Sequence, residues 1–326
     1  MRLSAPFILA PMSGVTDLPF RLIAREFGCP LAFTEMINAR ALVFGNRQTV
    51  DLLRSAPQDR PLGVQLLGRE PEFLVRAVEA LAGCPYDVID LNAACPVHKV
   101  AKKGEGAALM REPATLSRLV RALVSCSAVP VTVKIRSGWD QASVNAPEIA
   151  KVVADAGADA ICVHGRTRTQ GYSGRADLGV ITAVKEAASI PVIASGDLLS
   201  VDAALRAFEE TGCDGVMVAR GALGNPWIFR DLAAAYKNRR GSPQAAGCDS
   251  EEAPAGPPGR SIEEVKALME RHLRLSVAHH GAVKGVIDFR KSFVWYSRGL
   301  PNARVLRPKA VRVTGVEEML ALIGEL

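Results

Sequence analysis

The sequence predicts a (β/α)₈ TIM barrel followed by a small C-terminal all-helical domain. Three observations carry this. Eight short apolar runs rich in Val and Ile recur within the first 220 residues, helical patterns fill the gaps between them, and a Gly/Pro-rich stretch then separates this array from a second helical pattern.

The runs are 7–10, 31–34, 62–66, 87–91, 131–135, 160–164, 191–194 and 215–218. Their side chains are apolar in succession rather than in alternation, as expected of strands covered on both faces in a parallel sheet. The clearest crossover helices are 114–124, 146–156 and 181–188. A doubly wound open sheet would show fewer strands, so eight β-then-α units favour closure into a barrel.

Residues 241–260, GSPQAAGCDSEEAPAGPPGR, hold four Gly and four Pro with almost no large apolar side chain. Such a segment cannot bury a core and reads as a flexible linker. It divides a barrel domain, 1–240, from a helical domain, 261–326. Helical periodicity resumes at Ser261, which forms a capping box with Glu264. Ile262, Val265, Leu268, Met269 and Leu273 then share a face. A second helix is expected over 283–297, with Phe289, Phe293 and Tyr296 inward and Lys284, Lys291 and Arg298 spaced seven apart as a basic stripe. A third is expected over 316–324.

Composition sets the class. At 48% hydrophobic and 23% charged, this is an ordinary globular protein. With no apolar run of about 18 residues and no signal-peptide pattern, a cytoplasmic protein with no membrane span is expected, and a monomer is the default. Seven cysteines are scattered without a C-x-x-C, so neither a disulfide framework nor a metal centre is expected. The +6 net charge is uneven: residues 260–326 carry 12 Lys+Arg against 7 Asp+Glu, and the other 259 residues carry 28 against 27. That asymmetry suggests a polyanionic partner at the C-terminal end.

A barrel of this kind builds its site at the C-terminal ends of its strands. There the sequence places Pro11-Met12-Ser13-Gly14, Glu35, Gln65, Asn92 with Cys95, Lys134 with Arg136, His164 with Arg166, Ser195-Gly196-Asp197 and Ala219-Arg220-Gly221. Small residues after the last two strands let backbone N–H groups approach a phosphate, so a phosphorylated ligand is expected near Gly196 and Arg220. Glu35 and Arg136 fit the site or a structural ion pair equally. Cys95, in DLNAACP, fits buried filler, a nucleophile or a proton donor. Gly104-Glu105-Gly106 is a lone fragment and does not make a dinucleotide fold.

The motifs APMSGVTDLPFR (10–21), VQLLG (64–68), DLNAACPVHKVAKKGEGAALM (90–110), VTVKIRSGW (131–139), ICVHGRTRTQGYSGRADL (161–178), PVIASGDL (191–198) and GVMVARGALGNPWIF (215–229) resemble the tRNA-dihydrouridine synthases. The tail DFRKSFVWYSRGLP (288–301) resembles the bacterial B-type subgroup. The resemblance implies bound FMN, NADPH as a transient reductant, and tRNA as substrate. It carries FMN contacts onto Pro11, Met12, Ser13, Gln65, Lys134, His164, Ser195, Gly196, Asp197, Ala219 and Arg220. It makes Cys95 the proton donor to C5 of a uridine whose C6 takes hydride from flavin N5, with Asn92 orienting the uracil and, with Pro96, aiming Cys95. Arg166, Lys99, Lys102 and Lys103, with Lys284, Lys291 and Arg298, would meet RNA. Many such relatives have Asn at position 195 and Gly at 94 and 219. Ala94 and Ala219 therefore require φ below zero. Two other classes share part of the pattern. A flavin barrel reducing a free small molecule has no use for a basic helical appendage. A non-catalytic tRNA-binding protein has no reason to keep Cys95 beside the flavin residues.

Overall fold

The computed structural model describes residues 5–241 and 259–326. Most of the 241–260 linker expected from sequence, Cys248 included, lies outside the described residues. The strands are β1 (Phe7–Leu9), β2 (Leu31–Phe33), β3 (Ile37–Asn38), β4 (Leu62–Leu67), β5 (Val88–Ala93), β6 (Val131–Arg136), β7 (Ala160–His164), β8 (Val192–Ser195) and β9 (Gly215–Val218). All pair in parallel; β1 pairs with β9, and β2 with β4, which closes the sheet. β2 and β3 both pair with β4, so they are two pieces of one of eight staves. The break at Thr34-Glu35-Met36 was not visible in the apolar pattern.

Two apolar layers hold the barrel. Outward residues such as Leu66, Leu91, Val133, Val163 and Val218 pack under Leu74, Leu116, Leu119, Ile149, Val153, Ile181 and Val184 of the surrounding helices. The lumen is filled by Ile8, Ala10, Leu31, Phe33, Val88, Cys162 and Met217, so Cys162 is a core thiol. Phe33 fills its layer only because position 63 is glycine: a Cβ there would sit 2.2 Å from the ring.

Four helices form the C-terminal region: Ile262–His280, Ala282–Tyr296, Ala303–Ala310 and Val316–Gly324. The Ser261–Glu264 capping box is formed. The third helix was hidden by its brevity and by Pro308 inside it. Arg298 lies beyond the end of the second helix, so the helical part of the expected stripe stops at Lys291, which is half-buried. No described helix is long and apolar enough to cross a membrane.

This region is seated on the barrel. Ile23, from helix Leu18–Glu26, and Trp227 belong to the same cluster as Val265, Leu268, Phe289 and Phe293. Phe27 packs on Trp227 at 5.2 Å between ring centroids. Around this seam Arg271 pairs with Glu26 at 2.6 Å and His280 with Asp17 at 3.0 Å. Beneath it His272 is buried with Nδ1 3.1 Å from the Tyr296 hydroxyl.

Burial, countered by the Asp17 charge, pulls His272 down to about 4. Its folded-state value lies below the ordinary 6.5, so its neutral form contributes stability that is present above pH 6.5 and lost as pH falls through about 4. Denaturant midpoints measured from pH 7 to 4 should fall less steeply for His272→Gln than for the parent. Parallel curves would remove His272 from the acid response.

Candidate active site

The strand ends converge on a cavity of about 370 Å³. Its lining includes Pro11, Met12, Ser13, Gln65, Lys134, His164, Ser195, Gly196, Asp197, Ala219 and Arg220, together with Asn92, Cys95 and Pro96. Register explains the convergence: Asn92 lies opposite Lys134, and two residues further toward the mouth Arg136 lies opposite His164 and His164 opposite Ser195, so neighbouring strands deliver these residues on two successive levels. Met36, Ala94, Val97, Arg136, Tyr172, Leu198 and Leu199 also line it. Tyr172 is an exposed aromatic near the Arg136 and Arg220 guanidiniums, and nothing in the local sequence marked it. A larger cavity of about 790 Å³, lined by Pro6, Pro130, Thr132, Pro191 and Tyr236 among others, opens at the opposite end of the barrel and contains none of these mouth residues.

A directional hydrogen-bond chain fixes the cysteine loop. The Thr132 hydroxyl donates to Asp90 Oδ1 at 2.6 Å, and Gln65 Nε2 donates to Asp90 Oδ2 at 2.8 Å. Asn92 Nδ2 donates to Gln65 Oε1 at 2.7 Å, and Asn92 Oδ1 accepts the amides of Ala94 at 3.0 Å and Cys95 at 2.8 Å. The second Asn92 N–H goes to Met36 Sδ at 3.3 Å. Asn92 therefore aims Cys95 through its oxygen, while its second N–H, held only by a thioether, lies in the cavity lining. Gln65 keeps one N–H and one lone pair beyond the chain.

Burial overturns the expectation that Arg166 meets RNA. It is buried, donating to Ser173 O at 3.1 Å, to Gly174 O and to Asp197 Oδ1 at 2.7 Å. It ties down the loop after β7 and presents nothing to an RNA phosphate. Glu35 and Arg136 do not pair: Glu35 accepts the Gly14 amide, while Arg136 donates to the carbonyls of Ala94, Thr167 and Gly171 at 2.9 Å each. Lys99, Lys102 and Lys103 are exposed, on and just after helix His98–Ala101, outside the cavity.

Electrostatics favours anions on one side of the mouth. Burial raises the Asp197 carboxyl, but Arg166, the Ala176 amide and Arg220 outweigh it and hold it below the usual range. Asp197 thereby positions Arg220 Nη2 at 2.8 Å. Burial, with Lys134, Arg136, Arg166 and Arg220 nearby, pulls His164 down to about 2, so the imidazole is neutral. Its Nε2 is buried without a partner. Gly196 adopts φ +111°, and a Cβ there would lie 2.8 Å from the His164 ring. Ala219 has φ −115°, and Ala94 is not among the described residues with positive φ, so both alanines fit their backbone. Burial pushes the Cys95 thiol up, only partly offset by the Val97 amide and Arg136.

Asp90 is the costly member of the chain. Burial lifts it to about 6 against its hydrogen bonds from Thr132 and Gln65. Because the folded-state value exceeds 3.8, the stability contributed by its protonated form is complete below about pH 4 and lost as pH rises through about 6. Asp90→Asn, with its oxygen toward Gln65 and its nitrogen toward Thr132, keeps the chain intact without the charge. It should be more stable than the parent by about 1–3 kcal/mol at pH 7, a gap that closes toward pH 4. Urea melts at the two pH values test this; a gap independent of pH would assign the ionisation elsewhere.

A closed parallel barrel with converging polar side chains at its C-terminal mouth is the architecture of a barrel enzyme. Comparison with known proteins narrows the class. A family model described as dihydrouridine synthase (Dus) matches residues 8–325, and the chain belongs to that family of oxidoreductases. It is 40% identical over 308 residues to a probable tRNA-dihydrouridine synthase of Rickettsia bellii, covering 94% of this chain and 90% of that one. It is 36% identical over 318 residues to tRNA-dihydrouridine synthase B of Pseudomonas aeruginosa, covering 98% and 91%. Among solved structures, histamine dehydrogenase from Rhizobium sp. 4-9 superposes with a TM-score of 0.55 at 13% identity, covering 84% of this chain and 49% of that one. That likeness shows the shared barrel.

Proposed function

We propose that this protein reduces uridine in tRNA to 5,6-dihydrouridine, with FMN resident in the barrel mouth and NADPH as the passing reductant, acting in the cytoplasm. The observation that carries the reading is the gathering of Cys95 and eleven residues suited to a flavin in one cavity of about 370 Å³, beside a buried, unpartnered His164 Nε2. Bound FMN supplies hydride. The neutral His164, with its unpartnered ring nitrogen, would hold the cofactor's ribityl phosphate together with Arg220 and the Gly196 turn. Gln65 and Lys134 would hold the pyrimidine edge of the ring, where the Lys134 ammonium would favour negative charge.

Reduction of the C5=C6 bond needs hydride at C6 and a proton at C5. Cys95, held by Asn92 and with its thiol kept protonated by burial, delivers the proton. The uridine must leave its stack to reach this recess, at a cost of a few kcal/mol that pocket contacts offset. Residues 1–240 would form the catalytic unit and 261–326 the tRNA-binding unit, with Lys284, Lys291 and Arg298, and Lys99, Lys102 and Lys103 across the mouth, meeting phosphates.

The purified protein should show flavin absorbance that is bleached by NADPH and restored by uridine-containing tRNA but not by free uracil. Restoration by free pyrimidine would make it a small-molecule reductase. Absence of flavin from folded protein would sink the reading.

A further inference from the structure

We propose that Arg111, Trp139 and Arg168 form a second RNA-backbone site, a ribose-phosphate clamp on the rim of the barrel opposite the helical region; this rests on the tRNA reading above. The two guanidinium carbons lie 4.9 Å (Arg111) and 4.6 Å (Arg168) from the Trp139 ring centroid. Two cations share one aromatic ring, and among the described residues neither has an ion-pair partner. Arg168 Nε is buried with no acceptor. Stacking orients a guanidinium while leaving its N–H edge free to fork a phosphate.

The stack borders a cavity of about 480 Å³, whose lining includes Arg111, Trp139, Asp140 and Asn145. Asp140 is the one carboxylate there, and it is occupied by the Ser143 hydroxyl at 2.7 Å. Asn145 donates through Nδ2 to Met110 O at 2.8 Å, which leaves Oδ1 buried and unsatisfied. An amide side chain with an unsatisfied oxygen, lining the same cavity as the Arg111 guanidinium, suits a sugar hydroxyl next to a phosphodiester, and the 2′-hydroxyl is the donor RNA supplies there.

Placement gives the site its use. Trp139 follows β6, and Arg111 precedes helix Pro113–Cys126 on the same rim. In the closed strand order β6 is the fourth stave from β1 in either direction, and the helical region is seated on the helix after β1. The clamp and the helical region therefore grip from opposite sides of the mouth, with Cys95 between them.

The test is tRNA affinity of the holoenzyme, measured by fluorescence anisotropy across a salt series. Arg111→Ala should bind about 5- to 10-fold more weakly at low salt, with the slope of log K against log salt shallower by about 0.7–0.9. Arg111→Glu should lose more. Arg121→Ala, an exposed arginine on the helix after Arg111, should change neither, which separates a local contact from net charge. If Arg111→Ala and Arg111→Glu bind like the parent, with matching unfolding midpoints, the clamp is overturned and the catalytic reading stands. If the parent itself does not bind tRNA, both fall. Arg111 is exposed, so loss of fold should not obscure the result.

Discussion

Cys95→Ala is expected to keep its bound flavin and its bleaching by NADPH while losing tRNA reduction by about 10²–10⁴-fold, the range a positioned general acid supplies. The Cys95 and Ala94 amides are clamped on Asn92 Oδ1, which fixes the loop whichever side chain follows. Removing the sulfur therefore removes the proton and little else. Serine should not rescue, since a hydroxyl is a far weaker acid than a thiol. Burial also raises the thiol above its ordinary 9.0, so iodoacetamide labelling of Cys95 should reach half its maximal rate only above pH 9. Labelling that saturates below pH 8 would instead indicate an activated nucleophile and refute the acid role. Unimpaired tRNA reduction by Cys95→Ala would refute it outright.

Gly224→Ala is the second large effect. Gly224 has φ +75°, and a Cβ there would lie 2.5 Å from the carbonyl carbon of Trp295 and 2.6 Å from its oxygen. The left-handed backbone alone costs roughly 1–2 kcal/mol for alanine. The clash is with backbone, so no side-chain rotation relieves it. The end of helix Ala282–Tyr296 must lift from the barrel, taking Lys284 and Lys291 out of line with the mouth. The expected result is tRNA turnover reduced at least about 100-fold, as a misplacement near 1 Å can cause, with NADPH-driven flavin bleaching retained. Single-turnover assays of the two half-reactions read this directly. Equal loss of both would mean that the seam supports the barrel itself.

Much of the architecture was legible because parallel strands and amphipathic helices write their burial into residue order. Seven of the eight apolar runs match their staves within a residue or two at each end, the second covers only the first piece of its broken stave, and Ser261 and Glu264 form the cap their spacing implied. The residues at the strand ends do meet, since register follows from the barrel itself. What the residues withheld was partnership. Asn92 and Arg166 look free in one dimension, yet each is engaged both by nearby loop backbone and by a side chain from another strand end, Gln65 and Asp197 respectively, and neither kind of partner leaves a periodic trace. Glu35 reaches Gly14 because the stave breaks after Phe33, a bend with no Gly or Pro to mark it. The packing of Trp227 against the distant C-terminal helices is likewise a long-range fact that no local pattern contains.

The chain Thr132–Asp90–Gln65–Asn92 has a sense of direction: each amide has one orientation that satisfies both neighbours. A change that makes residue 90 donate toward Gln65 would turn over both amides downstream, as far as the Cys95 N–H, whereas Asp90→Asn with its nitrogen toward Thr132 leaves them in place. Reversals at 65 and 92 are therefore tied by sign epistasis, with a reversed pair tolerated where either single reversal is not. The two amides, on neighbouring strands, are heritable as a pair.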